Sequence, residues 1–387
     1  MLPLLMPYSA SVMMNAVQPK PIFVTVGDNS ARAFGMDSAD RARALAIKAG
    51  AEPAGGAQPG RTTIYADLNW TWDPEWLATL VKTPGAVLTK DGHPVLAHVP
   101  ADGDPATVIS AMLAGGAYEG GTLDRLDADT AEVSYRKLRK RDRPFVMRLD
   151  PANVESAERA AYDASYKGVT DILTLYLWRR LAFYLTRWAA QAGMTPNMVT
   201  GIGAALCVAA FFLFWNAWYW TGVMAGFGFM VLDTVDGKLA RCTGQSSKWG
   251  NIFDHGVDLV HPPFWWWAWA EGLKHYGRPF EPVYEMLIVG AIVFGYVAQR
   301  VIEGIFMRRY GMHIHVWQQI DSQFRLITAR RNPNMVILVL CLALGLPDLG
   351  IELVALWTLL SLIFHAVRLA QANARADRGQ PITSWLG

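Results

Sequence analysis

Four aspartates stand close together in an otherwise apolar part of the chain: Asp233, Asp236, Asp254 and Asp258. Ionised side chains inside a membrane segment are costly, and they are kept mainly where they pair, bind ions or do chemistry. Asp233 and Asp236 are three residues apart, and Asp254 and Asp258 are four apart, so each pair lies on one face of its helix. Two facing helices would present all four acids to one point.

Four carboxylates this close require a compensating positive charge, because they cannot all stay ionised without one. Oxygen ligands favour Mg2+, Mn2+ or Ca2+ over zinc. Two such ions can bridge a diphosphate and stabilise the leaving oxygen of an in-line displacement. The acids therefore predict phosphate chemistry supported by two divalent cations, Mg2+ or Mn2+.

Small residues accompany the acids. Gly237 and Ala240 follow the first pair, and Gly250 lies one helical turn before Asp254. Residues of this size let the backbone approach a bulky ligand closely. Arg241 adds a planar guanidinium suited to phosphate.

Together these eight residues match the pattern D-x2-D-G-x2-A-R-x8-G-x3-D-x3-D, and the chain resembles the CDP-alcohol phosphotransferase family. The resemblance implies a six-helix membrane enzyme that moves a substituted phosphate from a CDP-alcohol to an acceptor hydroxyl and releases CMP. It also implies a homodimer. Asp233, Asp236 and Asp254 would hold two metal ions, and Asp258 would deprotonate the acceptor and contact one metal.

By the same resemblance, Gly237, Ala240, Arg241 and Gly250 would cradle the cytidine diphosphate. The run T-P-N-x-x-T from Thr195 resembles the family as well, which makes Asn197 a candidate nucleotide contact, although helix capping explains it equally well. Taken singly, each acid could be an ordinary helix-end residue, and Arg241 could be a positive-inside anchor. The complete pattern favours the functional interpretation.

The composition changes near Arg148. Before it, no apolar run reaches the roughly 20 residues that cross a bilayer, whereas apolar runs dominate after it. The net charge of +2 averages two unlike parts and indicates no nucleic-acid partner. Three cysteines give no disulfide or zinc pattern. We therefore divide the chain into an α/β domain at 1–150, a linker with an interfacial helix at 151–195, and a membrane domain at 196–387.

The fold class predicted for the membrane domain is a bundle of six transmembrane helices. The spans are placed at about 198–218, 221–240, 247–270, 283–307, 334–347 and 350–370. Basic residues gather in alternate loops, which puts both termini and the acids on the cytoplasmic side of a bacterial-type inner membrane. Met1 to Met14 lacks a basic n-region, so we predict no signal peptide.

Two further segments are predicted to contact lipid. The segment from Ile172 to Trp188 mixes apolar residues with arginines, as an amphipathic helix at the bilayer surface does. Gly193 should end it, and Thr195 with Pro196 should open the next helix. The basic run from Arg136 to Arg143 is interpreted as an anionic-membrane contact. The tryptophans from Trp265 to Trp269 are attributed to the outer aromatic belt.

The loop after the fourth span carries Arg325, Arg330 and Arg331. These arginines could bind an acceptor that has its own phosphate, and contact with lipid headgroups explains them equally well. His313 and His315 lie in the same loop, and nothing nearby in the sequence completes a metal site with them.

The first 150 residues alternate candidate strands at 21–26, 62–66, 86–89 and 94–98 with helices near 37–49, 74–81 and 105–113. This order resembles a nucleotidyltransferase-like domain, which some members of the family carry. The first strand is followed by Gly27-Asp28-Asn29, a poor phosphate cradle. We predict that this domain is inactive as a cytidylyltransferase and serves stability, assembly or regulation.

For the whole chain the preferred donor is CDP-diacylglycerol, and the acceptor is a small polar alcohol such as inositol phosphate or glycerol phosphate. Two alternatives remain open at this point. The donor could be CDP-inositol, or the acids could bind ions in a transporter or scaffold without turnover. Metal-dependent release of CMP distinguishes the transferase from the transporter.

Overall fold

The computed structural model describes residues 19–131, 133, 143–166, 168–245 and 248–386. The side chains of Lys248, Trp249, Asn251, Asp254 and His255 also lie outside the description. The predictions for Met1 to Met14 and for the basic run up to Arg141 concern residues outside these ranges.

The N-terminal part is a layered α/β domain, as predicted. Its strands are β1 (Ile22–Val26), β2 (Arg32–Ala33), β3 (Met36–Asp37), β4 (Glu52–Pro53), β5 (Thr63–Asp67), β6 (Trp70–Trp72), β7 (Ala86–Lys90), β8 (His93–Val99), β9 (Asp124–Asp127) and β10 (Val146–Arg148). Its helices are α1 (Ser38–Ala49), α2 (Pro74–Leu80) and α3 (Ala106–Ala114).

The main sheet has six strands in the order β4-β1-β5-β8-β7-β9. β8 runs antiparallel to β5 and β7, and the other described pairings in this sheet are parallel. Phe23, Ile64 and Leu96 are buried against the helices, where apolar side chains are removed from water. Asn29, just after β1, donates from Nδ2 to the carbonyls of Leu68 and Leu149 at 2.8 and 2.7 Å.

A connecting region follows, formed by α4 (Val154–Ala164), a π-helical turn (Leu173–Leu177) and α5 (Arg179–Gln191). The predicted interfacial helix is thus two segments that break at Trp178. The Trp178 side chain is buried, and its indole Nε1 donates to Thr234 Oγ1 at 3.1 Å. This anchor to the next part of the molecule explains the break.

One side of this region presents large apolar side chains to the exterior. The exposed residues are Leu177, Leu181, Tyr184 and Trp188. Leu181, Tyr184 and Trp188 recur three or four residues apart on α5, so they share one helix face, and Leu177 lies in the turn just before α5. Such a stripe is what an interfacial helix requires, and its contact with lipid stays a prediction.

Six long helices occupy the places predicted for the spans: α6 (Pro196–Trp215), α7 (Tyr219–Cys242), α8 (Lys248–Tyr276), α9 (Pro282–Tyr310), α11 (Arg331–Ala343) and α12 (Pro347–Asp377). The short α10 (Gln319–Arg325) lies in the loop before α11. Thr195 caps α6 by accepting from the Met198 N–H, and Gly193 has the left-handed φ of +70°. Both agree with the sequence-based prediction.

Among the described helices, α6, α9 and α12 are long and apolar enough to cross a membrane. This indicates an integral membrane protein, whereas the count of six spans and the orientation stay predictions. The tryptophan run corrects one expectation in part, because Trp265, Trp266 and Trp269 are almost fully buried, whereas Trp267 is 39% exposed. Trp269 Nε1 donates to the Pro347 carbonyl at 3.0 Å, so the buried rings pack helices together instead of forming a belt.

Candidate active site

A cavity of about 450 Å3 opens where α7, α8 and α9 meet the loop that leads to α11. Its described lining includes six basic side chains, which are Lys238, Arg241, Arg300, Arg325, Arg330 and Arg331. The carboxylates described in the same lining are Asp171, Asp233, Asp258 and Glu303. The excess of basic groups favours anionic ligands.

Two of the predicted acids meet around one guanidinium. Arg331 Nη2 lies 2.8 Å from Asp233 Oδ2, and Arg331 Nη1 lies 2.8 Å from Asp258 Oδ1. The same guanidinium stacks on the Phe229 ring at 4.8 Å from its centroid. α7 and α8 therefore present these two carboxylates to one point, and Arg331 supplies positive charge there.

The other two acids have different surroundings. Asp236 is buried, and its Oδ2 accepts a hydrogen bond from Thr200 Oγ1 at 2.6 Å. Thr200 ends the T-P-N-x-x-T run, so this hydrogen bond joins two predicted motifs. Asp254 lies on α8 one turn before Asp258, and its side chain is outside the described part.

Gly237 and Arg241 are neighbours on α7. A Cβ added at Gly237 would lie 3.1 Å from Arg241 Nη2, so the glycine makes room for the guanidinium. Arg241 lines the cavity, whereas the backbone carbonyl of Ala240 accepts a hydrogen bond from Lys48 Nζ. Gly250 lies in the first turn of α8. Asn197 is exposed near the start of α6 and is absent from the described cavity lining.

The acceptor candidates Arg325 and Arg330 face the cavity beside α9. Arg330 Nη2 pairs with Glu303 Oε1 at 2.7 Å, and Arg300 Nη2 reaches the same oxygen at 2.8 Å. Arg325 differs, because its Nη1 is buried without a hydrogen-bond partner among the described residues. Burial and the neighbouring Arg330 lower the pKa of Arg325 to about 9, so it remains charged at neutral pH. A buried guanidinium nitrogen without a hydrogen-bond partner is suited to binding an anion.

Glu303 also meets two histidines. One potential ligand atom from each of Glu303, His315 and His365 lies within 4.8 Å of the others, a group that could hold a metal ion. Sequence reasoning missed it because Glu303 lies in the preceding predicted span and His365 lies in the last one, whereas His315 lies in the loop after the fourth span. Arg300 and Arg330 already bring two positive charges to Glu303, and this repulsion disfavours a metal cation. We interpret the group as a support that orients Arg330.

Sequence reasoning also missed Arg300, Glu303 and Asp171 as cavity residues. A signal existed for the first two, since an arginine and a glutamate three apart inside a predicted span are a functional indication. The sequence contains no such signal for Asp171, because an aspartate just before a helical segment is usually a helix cap. Its Oδ1 accepts from the Thr174 N–H at 3.0 Å.

Comparison with known proteins gives a match over residues 193–363 to the family described as CDP-alcohol phosphatidyltransferase. Cholinephosphotransferase 1 of Gallus gallus is 30% identical over 127 residues, which are 30% of this chain and 36% of the relative. Phosphatidylinositol phosphate synthase of Cutibacterium acnes is 32% identical over 82 residues, 21% of this chain and 40% of the relative. The chain thus matches only about a third of the chicken relative's length.

Among solved structures, the crystal structure of Mycobacterium tuberculosis phosphatidylinositol phosphate synthase with CDP-DAG bound has 18% sequence identity and a TM-score of 0.37. The match covers 49% of this chain and 94% of that one.

Proposed function

We propose that this chain, whose residues 193–363 form a domain of the CDP-alcohol phosphatidyltransferase family, transfers a substituted phosphate from a CDP-alcohol to an acceptor hydroxyl and releases CMP. The observation that carries the proposal is the meeting of Asp233 and Asp258 at the edge of a cavity with a basic lining. The names of two relatives, cholinephosphotransferase and phosphatidylinositol phosphate synthase, support it.

Divalent cations fit the acids. Asp233 and Asp258 already hold one cationic group between them, and their donors are all oxygen, as Mg2+ and Mn2+ require. We infer that Asp233, Asp236, Asp254 and Asp258 would hold two such ions. Bound there, the ions would neutralise the diphosphate of the donor.

The remaining steps belong to the chain's own side chains. Asp258 lies on the cavity wall with 43% of its side chain exposed, so an acceptor hydroxyl can reach it. It takes the hydroxyl proton while the hydroxyl oxygen bonds to the phosphorus that bears the donor alcohol. The bond from that phosphorus to the bridging oxygen breaks, and CMP leaves with the electron pair. Arg241 and Lys238, which line the cavity on the α7 side, would bind the phosphates.

The preferred donor is CDP-diacylglycerol, because one wall of the cavity is formed by α9, a helix long and apolar enough to cross a membrane, where lipid tails reside. The preferred acceptor carries a phosphate, since Arg325 presents a buried guanidinium nitrogen without a partner among the described residues. CDP-inositol as donor is the second candidate, and the basic lining is compatible with it as well.

The test of the proposed function is CMP formation by the full-length protein in detergent. Donors should include CDP-diacylglycerol and CDP-inositol, and acceptors should include inositol phosphate and glycerol phosphate with their dephosphorylated forms. We expect CMP with at least one pairing in Mg2+ or Mn2+ and none in EDTA. The absence of CMP with every pairing, together with ion flux in vesicles, would instead support the transporter.

Arg325→Met should raise the KM for a phosphorylated acceptor by about 10- to 100-fold, because it removes a charge-assisted hydrogen bond. The fold should tolerate the change, because Arg325 Nη1 has no hydrogen-bond partner among the described residues to lose. Arg309→Met is the matched control, because Arg309 is an exposed arginine at the end of α9. Steady-state kinetics with phosphorylated and dephosphorylated acceptors provide the measurement. An equal loss with both acceptors would contradict phosphate recognition by Arg325.

A further inference from the structure

Helix α1 of the α/β domain packs against the last turn of α7, the helix that carries Asp233 and Asp236. Arg41 Nε donates to the Cys242 carbonyl at 3.1 Å, and Lys48 Nζ donates to the Ala240 carbonyl at 3.2 Å. Arg41 is buried, and its Nη1 also donates to Thr71 Oγ1 at 3.0 Å. One buried arginine thus joins the soluble domain to the end of a helix that lines the cavity.

These two cations bind groups that α7 cannot satisfy by itself. The last four carbonyls of a helix have no partner within it, and the partial negative charge at that end attracts cations. The turn after α7 satisfies one of them, since the Thr243 N–H and Oγ1 both donate to the Leu239 carbonyl, at 3.0 and 2.7 Å. The carbonyls of Ala240 and Cys242 receive their donors from α1.

The contact is close as well as polar. Gly244, just after α7, has a φ of +75°, which favours glycine. A Cβ at this position would lie 3.0 Å from the backbone carbon of Ala44 and 3.1 Å from the Leu45 nitrogen. The backbone of α1 therefore lies directly against the turn, and a larger residue would push the two apart.

Both carbonyls belong to the turn that carries Arg241, and Arg241 lines the cavity. We propose that Arg41 and Lys48 are positioning residues that hold this turn for the cytidine diphosphate, so that the α/β domain sets the affinity for the donor. The functional part of this inference rests on the proposed function. In this proposal the α/β domain positions the last turn of α7 and needs no catalytic activity of its own.

The test compares variants of α1 in the full-length protein. Arg41→Met removes the hydrogen bond to the Cys242 carbonyl together with the one to Thr71 Oγ1, Lys48→Met removes the hydrogen bond to the Ala240 carbonyl, and Arg41→Lys keeps the charge. Arg43→Met is the matched control, because Arg43 is on the same helix, is exposed and pairs with Asp40. Lys48 is also exposed, so Lys48→Met tests the contact even if Arg41→Met fails to fold.

Two measurements are needed. Hydrogen exchange at residues 239–245 reports the turn directly, and we expect about tenfold faster exchange in Arg41→Met and no change in Arg43→Met. The KM for the donor should rise roughly tenfold in Arg41→Met and about threefold in Lys48→Met, whereas kcat should change less than about twofold. In Arg41→Lys the KM should return part of the way to the wild-type value, because the positive charge is kept.

The two proposals fail in different ways. If the wild type releases no CMP, the transferase proposal is wrong, and the inferred control of donor affinity falls with it, whatever the exchange result shows. If the wild type is active but exchange in Arg41→Met and Lys48→Met equals that in Arg43→Met, the positioning role is wrong. Equal KM values with faster exchange would likewise overturn the link to donor affinity.

Discussion

Asp258→Asn should lower the turnover number by about 100- to 10,000-fold, the usual contribution of a general base. The amide keeps the size of the carboxylate and can still accept from Arg331 Nη1, which lies 2.8 Å from Asp258 Oδ1 in the native protein. The amide cannot take a proton from the acceptor. Nucleotide binding should persist, because Asp233 and Asp236 remain on α7.

The measurement pairs CMP release with calorimetric binding of CDP in Mn2+. Asp377→Asn is the matched control, since Asp377 is an exposed acid at the end of α12 and should leave both quantities unchanged. Asp233→Asn should instead weaken metal-dependent binding of the nucleotide. Near-normal turnover in Asp258→Asn would show that another group is the base.

Arg331→Met should destabilise the protein in EDTA by about 2–3 kcal/mol, because two carboxylates lose their shared cation. We expect less than the effect of a fully buried pair, since Asp258 is 43% exposed. Saturating Mn2+ should reduce the difference between variant and wild type to below about 1 kcal/mol, because a cation then takes the place of the guanidinium and stabilises the native state.

Thermal unfolding in detergent, with EDTA or Mn2+, measures this effect without any substrate. Arg278→Met is a suitable control, because it breaks the Arg278–Asp348 pair away from the four acids and should show no dependence on Mn2+. If Mn2+ stabilises the wild type more than Arg331→Met, the acids are not a cation site that Arg331 occupies.

Much of the fold follows from local patterns in the sequence. Apolar runs of span length predict the six long helices, Thr195 and Pro196 predict the start of α6, and Gly193 predicts the end of the preceding helix. Alternating strands and helices predicted the α/β domain. These features depend on neighbours along the chain, which is why sequence reasoning reaches them.

The site was predictable only in part. Spacing predicts that Asp233 and Asp258 lie on facing helices, but it does not predict their common partner Arg331, which is 98 positions from Asp233. The burial of the tryptophans is also not predictable from the sequence, because an aromatic run in a membrane belt has the same composition as one in a helix interface. Contacts between segments far apart in the chain determine which side chains pair and which are buried, and a single sequence does not show these contacts.

The surplus of basic groups around the cavity has a practical consequence for anyone who purifies or assays this protein. Inorganic phosphate and sulfate would compete for the same guanidinium groups, and higher ionic strength would slow the arrival of charged ligands. Activity should therefore be lower in phosphate buffer than in an organic buffer at equal ionic strength. Buffer choice alone could make an active preparation look inert.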